Sequence, residues 1–378
     1  MASANNLEAE QNNLEVDPTL LDNDDTDYAS SGIATDTQSL SSSIHEYIFE
    51  NGRRYHAYWG KDKNFLPADE VEQDRLDMHH EVLLTLQEGK LYNVPLENPQ
   101  KILDVGTGTG IWAIDMADKF PSAEVIGIDL MPNQPRWVPP NCRFEIDDCE
   151  KEWTWPEETF DFVHLRNICQ AISDWPKVLA EAYRSLKPGG WIQLGEVTTH
   201  LYSDDGTLKD DNPAKLALDL MDKAMTQIGS PPTPRGLSAA FGRRPPAWRP
   251  TMEQNLKTAG FEKVEGITYK QPLAPWPKDP RMKQVGAMML LNCATAFEAY
   301  GLAAYTRILG YSPEAADKIC KDAYAAVRNK NYHMYNCYAA AMSRMAGNLN
   351  ESRGREGVDI EGVDECILIE SFRDVMHK

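Results

Sequence analysis

Residues 101–120, KILDVGTGTGIWAIDMADKF, restrict the fold more than any other stretch of the chain. An apolar run (Ile102, Leu103, Val105) ends in three closely spaced glycines, and a helical pattern follows with Ile111, Ile114, Ala117 and Phe120 on one side. A strand that enters a glycine turn and leaves as a helix opens an α/β sheet whose ligands bind beyond the carboxyl ends of its strands. The spacing is G-x-G-x-G, with Ile111 where the dinucleotide fingerprint G-x-G-x-x-G needs its third glycine. Asp104 stands two residues before the first glycine. A carboxylate there repels a pyrophosphate and suits an ammonium group. S-adenosylmethionine has an ammonium, a sulfonium and no phosphate. The loop of Asp104, Gly106, Thr107, Gly108 and Gly110 is therefore read as a site for that cofactor, and a nicotinamide-dependent oxidoreductase is disfavoured.

The pattern continues as alternating strand and helix. AEVIGIDL is a second strand, and Asp129, followed by Leu130, is placed to accept hydrogen bonds from both ribose hydroxyls. CRFEID is a third, with Asp148 and Cys149 after it at the adenine side. FDFVHLR is a fourth, PKVLAEAYRSL a helix, KPGG a turn and WIQLGEV a fifth strand. Each aspartate alone is more commonly a turn residue or cap. Three of them and a glycine loop, in register with successive strands, point to a cofactor site. The sum is an α/β, doubly wound, mostly parallel sheet.

Before this core, PADEVEQDRLDMHHEVLLTL predicts a helix, with Asp69 and Glu72 as a capping-box-like start and Val71, Met78, Val82 and Leu86 at helical spacing. The preceding aromatic segment contains Tyr55, Tyr58 and Trp59. After the core, residues 201–250 read as a polar, Pro-rich insertion with a helix near 214–228. TMEQNLKTAGF reads as a helix and EKVEGITYK as a strand, residues 281–330 as mostly helical, and YHMYNCYAAAMSR as a last strand.

Composition narrows the function. The net charge is −20, and residues 1–43 hold nine acidic residues and no Lys or Arg. That segment reads as a disordered tail, because its few apolar residues cannot offset the ordering entropy. Phosphate binding needs clustered Lys and Arg, so nucleic-acid substrates are disfavoured. No apolar run of membrane-spanning length is evident, nor a signal peptide. Seven scattered cysteines without a CxxC pair argue against a disulfide framework and a zinc site, and for a cytoplasmic or nuclear setting.

ILDVGTGTGIWAIDMADKFPSAEVIGIDL, FDFVHLRN and LKPGGWIQLGEV resemble the class I methyltransferases, and ADEVEQDRLDMHH and PLAPWPKDPRMKQVG resemble the LaeA-like methyltransferases of filamentous fungi. The resemblance runs from about residue 45 to 345. It implies a Rossmann-like, seven-stranded sheet with the last strand antiparallel, joined by a helical N-terminal lid and helical insertions. The expected organisation is a tail (1–43), a lid (44–95), a cofactor-binding core (96–200), substrate-side insertions (201–250 and 281–330) and a C-terminal tail (346–378). It also implies a role in secondary metabolism, either as a methyltransferase of a small molecule or as a regulator acting with velvet-type protein partners.

The acceptor is harder to read. A carboxylate acceptor needs no base, whereas a phenol or alcohol does. His164, after the fourth strand, is a candidate base or a structural hydrogen-bonding histidine, and His200 and His333 are weaker candidates. Arg166 is placed to pair with a cofactor carboxylate, to steer an anionic acceptor, or simply to meet a nearby acid. Arg243 and Arg244 are further cations for an anionic acceptor. HLRN stands where the N/D-P-P-Y tetrad of adenine and amide N-methylation would lie. Tyr55, Tyr58 and Trp112 are candidates for an aromatic wall around the acceptor, with core packing as the alternative.

Overall fold

The computed structural model describes residues 47–57, 65–228 and 248–346, all within one compact unit. The chain opens with a hairpin, β1 (Tyr47–Glu50) and β2 (Arg53–His56), and helix α1 (Glu70–Leu86). The core then runs β3 (Lys101–Val105), α2 (Ile111–Lys119), β4 (Glu124–Asp129), β5 (Cys142–Ile146), β6 (Phe160–Arg166), α3 (Trp175–Ser185) and β7 (Leu186–Val197). It ends with α4 (Pro213–Gln227), α5 (Trp248–Thr258), β8 (Glu262–Pro272), α6 (Pro280–Ala303) with a π turn at Ala304–Ile308, α7 (Pro313–Arg328) and β9 (Tyr335–Arg344).

Seven strands form one sheet in the order β5-β4-β3-β6-β7-β9-β8. The first five are parallel neighbours, and β9 is antiparallel to both β7 and β8. This is the expected class I arrangement, with the last strand reversed. The strands read as near-continuous apolar runs because both faces are covered. On one face Leu103, Val105, Ile126, Val163, Leu165 and Leu194 pack with α3 and α5, and on the other Ile102, Val125 and Phe162 pack with α2. A third cluster joins α1, α4, α6 and α7 around Val82, Met221, Met289 and Tyr305.

Four expectations are corrected. The segment before α1 is a hairpin, not part of a helical lid. It is fastened to α1 by Arg53, whose guanidinium meets both Asp69 oxygens at 2.7 Å, and to the π turn by Arg307 and Glu50 at 2.8 Å. Asp69 does cap α1, accepting from the Glu72 amide at 3.0 Å, but the Glu72 carboxylate turns to Arg75 instead of closing the box. Val71 is 50% exposed; the buried residues of α1 before Val82 are Glu72, Arg75, His79 and His80. The KPGG segment lies within β7, where Gly189 takes φ +81°.

The 29-residue run Pro280–Ile308 is long and apolar enough to cross a bilayer by length and composition, contrary to the sequence reading, and is the one such helix among the described residues. Here it is a packing element: Val285, Met289, Cys293 and Phe297 are buried in the third cluster. Tyr58, Trp59, Arg243, Arg244 and the two tails lie outside the described residues, apart from Ala346.

Candidate active site

The glycine loop leaves β3 in a conformation that side chains rarely adopt: φ is +70° at Gly106, +60° at Gly108 and +82° at Gly110. The outer two glycines are also walled in. A Cβ on Gly106 would lie 2.3 Å from Ile168, and one on Gly110 2.3 Å from the Phe144 ring. At Gly108 the nearest atom is a Leu76 methyl at 4.0 Å, so the middle of the loop is an open cradle. This explains the third glycine at Gly110: it lets the loop lie flat on Phe144 of β5. The amides of Gly106 and Thr107 donate to the Ile128 carbonyl, both at 2.9 Å, which anchors the loop to β4.

Asp129 closes β4 beside that cradle. One carboxylate oxygen accepts from the Gly108 amide at 2.8 Å and the other from the Met131 amide at 3.0 Å. Burial raises its pKa, and the two amides oppose that shift. Each oxygen keeps acceptor capacity for a hydroxyl. Leu130 follows at the rim, and Gln134 spans the turn, donating to the Gly108 carbonyl at 2.6 Å. Asp148, buried after β5, accepts from the Glu150 amide at 3.0 Å and so shapes its own turn. The Cys149 thiol beside it is pushed up to about 12 by burial. Asp129 ends β4, and Asp148 lies just beyond the end of the adjacent β5.

Asp104 is enclosed. Its two oxygens meet His164 Nδ1 at 2.7 Å and the Thr107 hydroxyl at 2.6 Å. Asp104 and His164 are register partners on β3 and β6, so their side chains share one sheet face. Trp112 stacks on the imidazole with ring centroids 3.7 Å apart, and its indole NH donates to the Leu91 carbonyl at 2.8 Å. Burial lowers the His164 pKa, and Asp104 works against that shift. Tyr55 and Trp112, expected at the acceptor, are 0% and 1% exposed and present no surface to a ligand here. His164 is 1% exposed and is likewise sealed between carboxylate and indole.

Arg166, at the end of β6, points at α1. Its guanidinium lies 3.1 Å from His80 Nδ1, and His80 Nε2 lies 2.9 Å from Asp115 of α2. Asn167, at φ +56°, approaches His79 at 3.4 Å. Burial, then Arg75, lowers His79 to about 3, so it is neutral at physiological pH. Asp77 accepts from the Thr109 hydroxyl at 2.6 Å. Through Leu76, Asp77, His79 and His80, α1 therefore lies directly over the cofactor loop.

Sequence reasoning missed these α1 residues and also Glu196. The Glu196 carboxylate, buried near the end of β7, accepts from the Ile168 and Cys169 amides at 3.0 and 2.9 Å. It holds the segment after β6 against Gly106. Burial raises its pKa to about 7. The signal was present: DMHH and LGEV lie in the stretches that carry the family resemblance. Among the described residues no His, Cys, Asp and Glu group is arranged to hold a metal.

A family model described as a methyltransferase domain matches residues 78–265. The chain is 40% identical to methyltransferase pytC of Aspergillus terreus, over 73% of this chain and 81% of that protein. It is 35% identical to the secondary metabolism regulator LAE1 of Cochliobolus heterostrophus, over 76% and 91%. It is 32% identical to the protein-methionine methyltransferase laeA of Emericella nidulans, over 79% and 76%. Among solved structures, a phosphoethanolamine N-methyltransferase 2 of Haemonchus contortus aligns with a TM-score of 0.40 at 20% identity, over 71% of this chain; the chain spans about half, 52%, of that protein.

Proposed function

The chain belongs to the LaeA-like methyltransferases of fungal secondary metabolism and takes its methyl group from S-adenosylmethionine, and from that premise we propose that it methylates a small metabolite on oxygen. The observation that carries the cofactor half is the Asp129 carboxylate, fixed by two amides at the lip of the open Gly108 cradle. When bound, the cofactor supplies an electrophilic methyl on a sulfonium, and the chain's task is to hold it and align an acceptor. Asp129 and Asp148 mark the β4–β5 side for the adenosine. The carboxyl ends of β6 and β7, beneath α1, α4 and α6, remain for the acceptor. HLRN in place of an N/D-P-P-Y tetrad and the acidic chain favour oxygen on a small molecule over a nucleic-acid nitrogen. The six cysteines among the described residues are free, which supports the proposal of a reducing compartment, cytoplasm or nucleus.

A second reading is a regulator that acts through a protein partner of the velvet type; the relatives named as regulators favour it. Reactions with methyl-labelled cofactor and extracts of the producing fungus separate the two. A labelled small molecule supports the first reading, and label only on protein supports the second. Calorimetry should show S-adenosylmethionine binding and negligible NAD binding. Asp129→Ala should weaken the cofactor by about 1.5–3 kcal/mol, the worth of a charge-assisted hydrogen bond. Unchanged affinity in that variant would move the ribose away from Asp129.

A further inference from the structure

The crevice has a second titratable group. β7 ends at Val197, and the chain continues through Thr198, Thr199 and His200 on the acceptor side. His200 turns Nδ1 toward Asp222 of α4, with 3.9 Å between Nδ1 and the nearer carboxylate oxygen. Both His200 Nδ1 and Asp222 Oδ1 are buried without a hydrogen-bond partner, although the His200 side chain as a whole is 36% exposed. The open part is therefore the rest of the ring. The Thr199 hydroxyl lies beside the same carboxylate, and Thr198 Oγ1 holds the His200 carbonyl at 3.4 Å.

His200 lies four residues after Glu196, which holds the Ile168 and Cys169 amides, and Ile168 packs on Gly106 of the cofactor loop. Asp222 and Glu196 both raise the Cys169 thiol. The pair thus lies on the β6–β7 side, away from Asp129 and Asp148. A carboxylate on the inner nitrogen of an imidazole, with the outer edge open, is how a histidine is oriented for proton abstraction. The 3.9 Å separation is long, as such contacts often are before the substrate binds.

Of the other described histidines only His333 also turns Nδ1 to a carboxylate with its ring partly open, and it does so away from the end of β7; His56 is 1% exposed. His164 is sealed under Trp112, and His80 has both nitrogens engaged. His79 is enclosed near Arg75 and Arg166. His333 meets Asp205 within an exposed turn that Ser203 and Thr207 complete.

We propose that His200 is the catalytic base for a hydroxyl acceptor and that Asp222 is its positioning residue. The inference rests on the reading of the chain as a small-molecule O-methyltransferase and names the acceptor class as a phenol or alcohol. The acceptor oxygen gives a lone pair to the methyl carbon while sulfur takes back the S–C bonding pair. The hydroxyl proton passes to the outer nitrogen of His200, and Asp222 stabilises the imidazolium. Donor and acceptor leave as a neutral thioether and a methyl ether, and the proton then returns to solvent. Burial raises the Asp222 carboxyl, and Asp219 of the same helix adds to this; His200 and the Thr199 hydroxyl oppose it.

Full-length protein, methyl-labelled S-adenosylmethionine and the small-molecule extract of the producing fungus test this. The expected product is a base-stable methyl ether. His200→Gln should reduce its formation roughly 100-fold or more while cofactor affinity stays within twofold of wild type. Asp222→Asn should reduce it less, and imidazole should partly rescue His200→Ala. A second readout needs no acceptor: ring ¹⁵N spectra should show an Nδ1–H imidazole that disappears in His200→Gln and shifts in Asp222→Asn. A base-labile ester, an N- or S-methyl product, or His200→Gln within threefold of wild type would overturn the inference and leave the methyltransferase reading standing. Failure of the wild type to label any small molecule would overturn the small-metabolite reading itself.

Discussion

Glu196 shows how one side chain ties stability to pH in this protein. Its carboxyl titrates at about 7 in the fold against 4.5 in the open chain, because burial disfavours the charge. The native state therefore holds a proton that the unfolded state releases. The resulting stabilisation is complete below 4.5 and is lost as pH rises through about 7. It amounts to something on the order of 3 kcal/mol. His79 runs the other way: with its pKa depressed to about 3, its contribution is present above 6.5 and fades as pH falls toward 3. Glu196→Gln keeps an acceptor for the Ile168 and Cys169 amides and removes the titration. Urea unfolding at pH 5 and pH 8 should show the wild type losing stability relative to the variant at the higher pH. Parallel curves would mean that Glu196 is charged in the fold throughout.

Among elements, α1 departs furthest from what its sequence suggests. Hydrophobic periodicity picks out Val82 and Leu86, which are buried, and Val71, which is half exposed. It cannot find the N-terminal half, whose buried side chains are ionisable: Glu72 and Arg75 pair with each other against Asn292 and Tyr300 of α6. The strands β3, β4, β6 and β7 were legible because burial on both faces leaves long apolar runs, and the glycine loop was legible because positive φ admits few residues. The β1–β2 hairpin was not, since its strands are four residues each and are held by ion pairs to remote elements. Nor was the enclosure of Tyr55, Trp112 and His164: spacing locates a residue on an element but not the partner that covers it. The contact between Asp77 and Thr109 makes α1 a latch over the cofactor loop. Asp77→Ala should weaken S-adenosylmethionine by about 1 kcal/mol, roughly fivefold, and speed amide exchange at Gly108 and Thr109. Unchanged exchange there would show that α1 does not restrain the loop.

At the scale of the whole molecule, the sheet is assembled out of sequence order. β9 is inserted between β7 and β8, and its ten residues, Tyr335–Arg344, are buried in all but the last position. Three successive alanines, Ala339 to Ala341, let it fit where the Tyr338 ring already crowds Gly195. A chain terminated after Arg328 is expected to show no cooperative melting transition, because β7 loses one of its two neighbours and β8 loses the one strand it pairs with among the described residues. A sharp transition near that of the full chain would instead mark β5 to β7 as a unit that folds alone. On the ribosome this order has a kinetic meaning. Strands β3 to β7 can pair as they emerge, but β8 leaves the exit tunnel with nowhere to dock and must wait while α6 and α7, and then β9, are translated. For that interval the growing chain carries two raw sheet edges at once, and the protein's exposure to misassembly is set by how quickly its last strand is made.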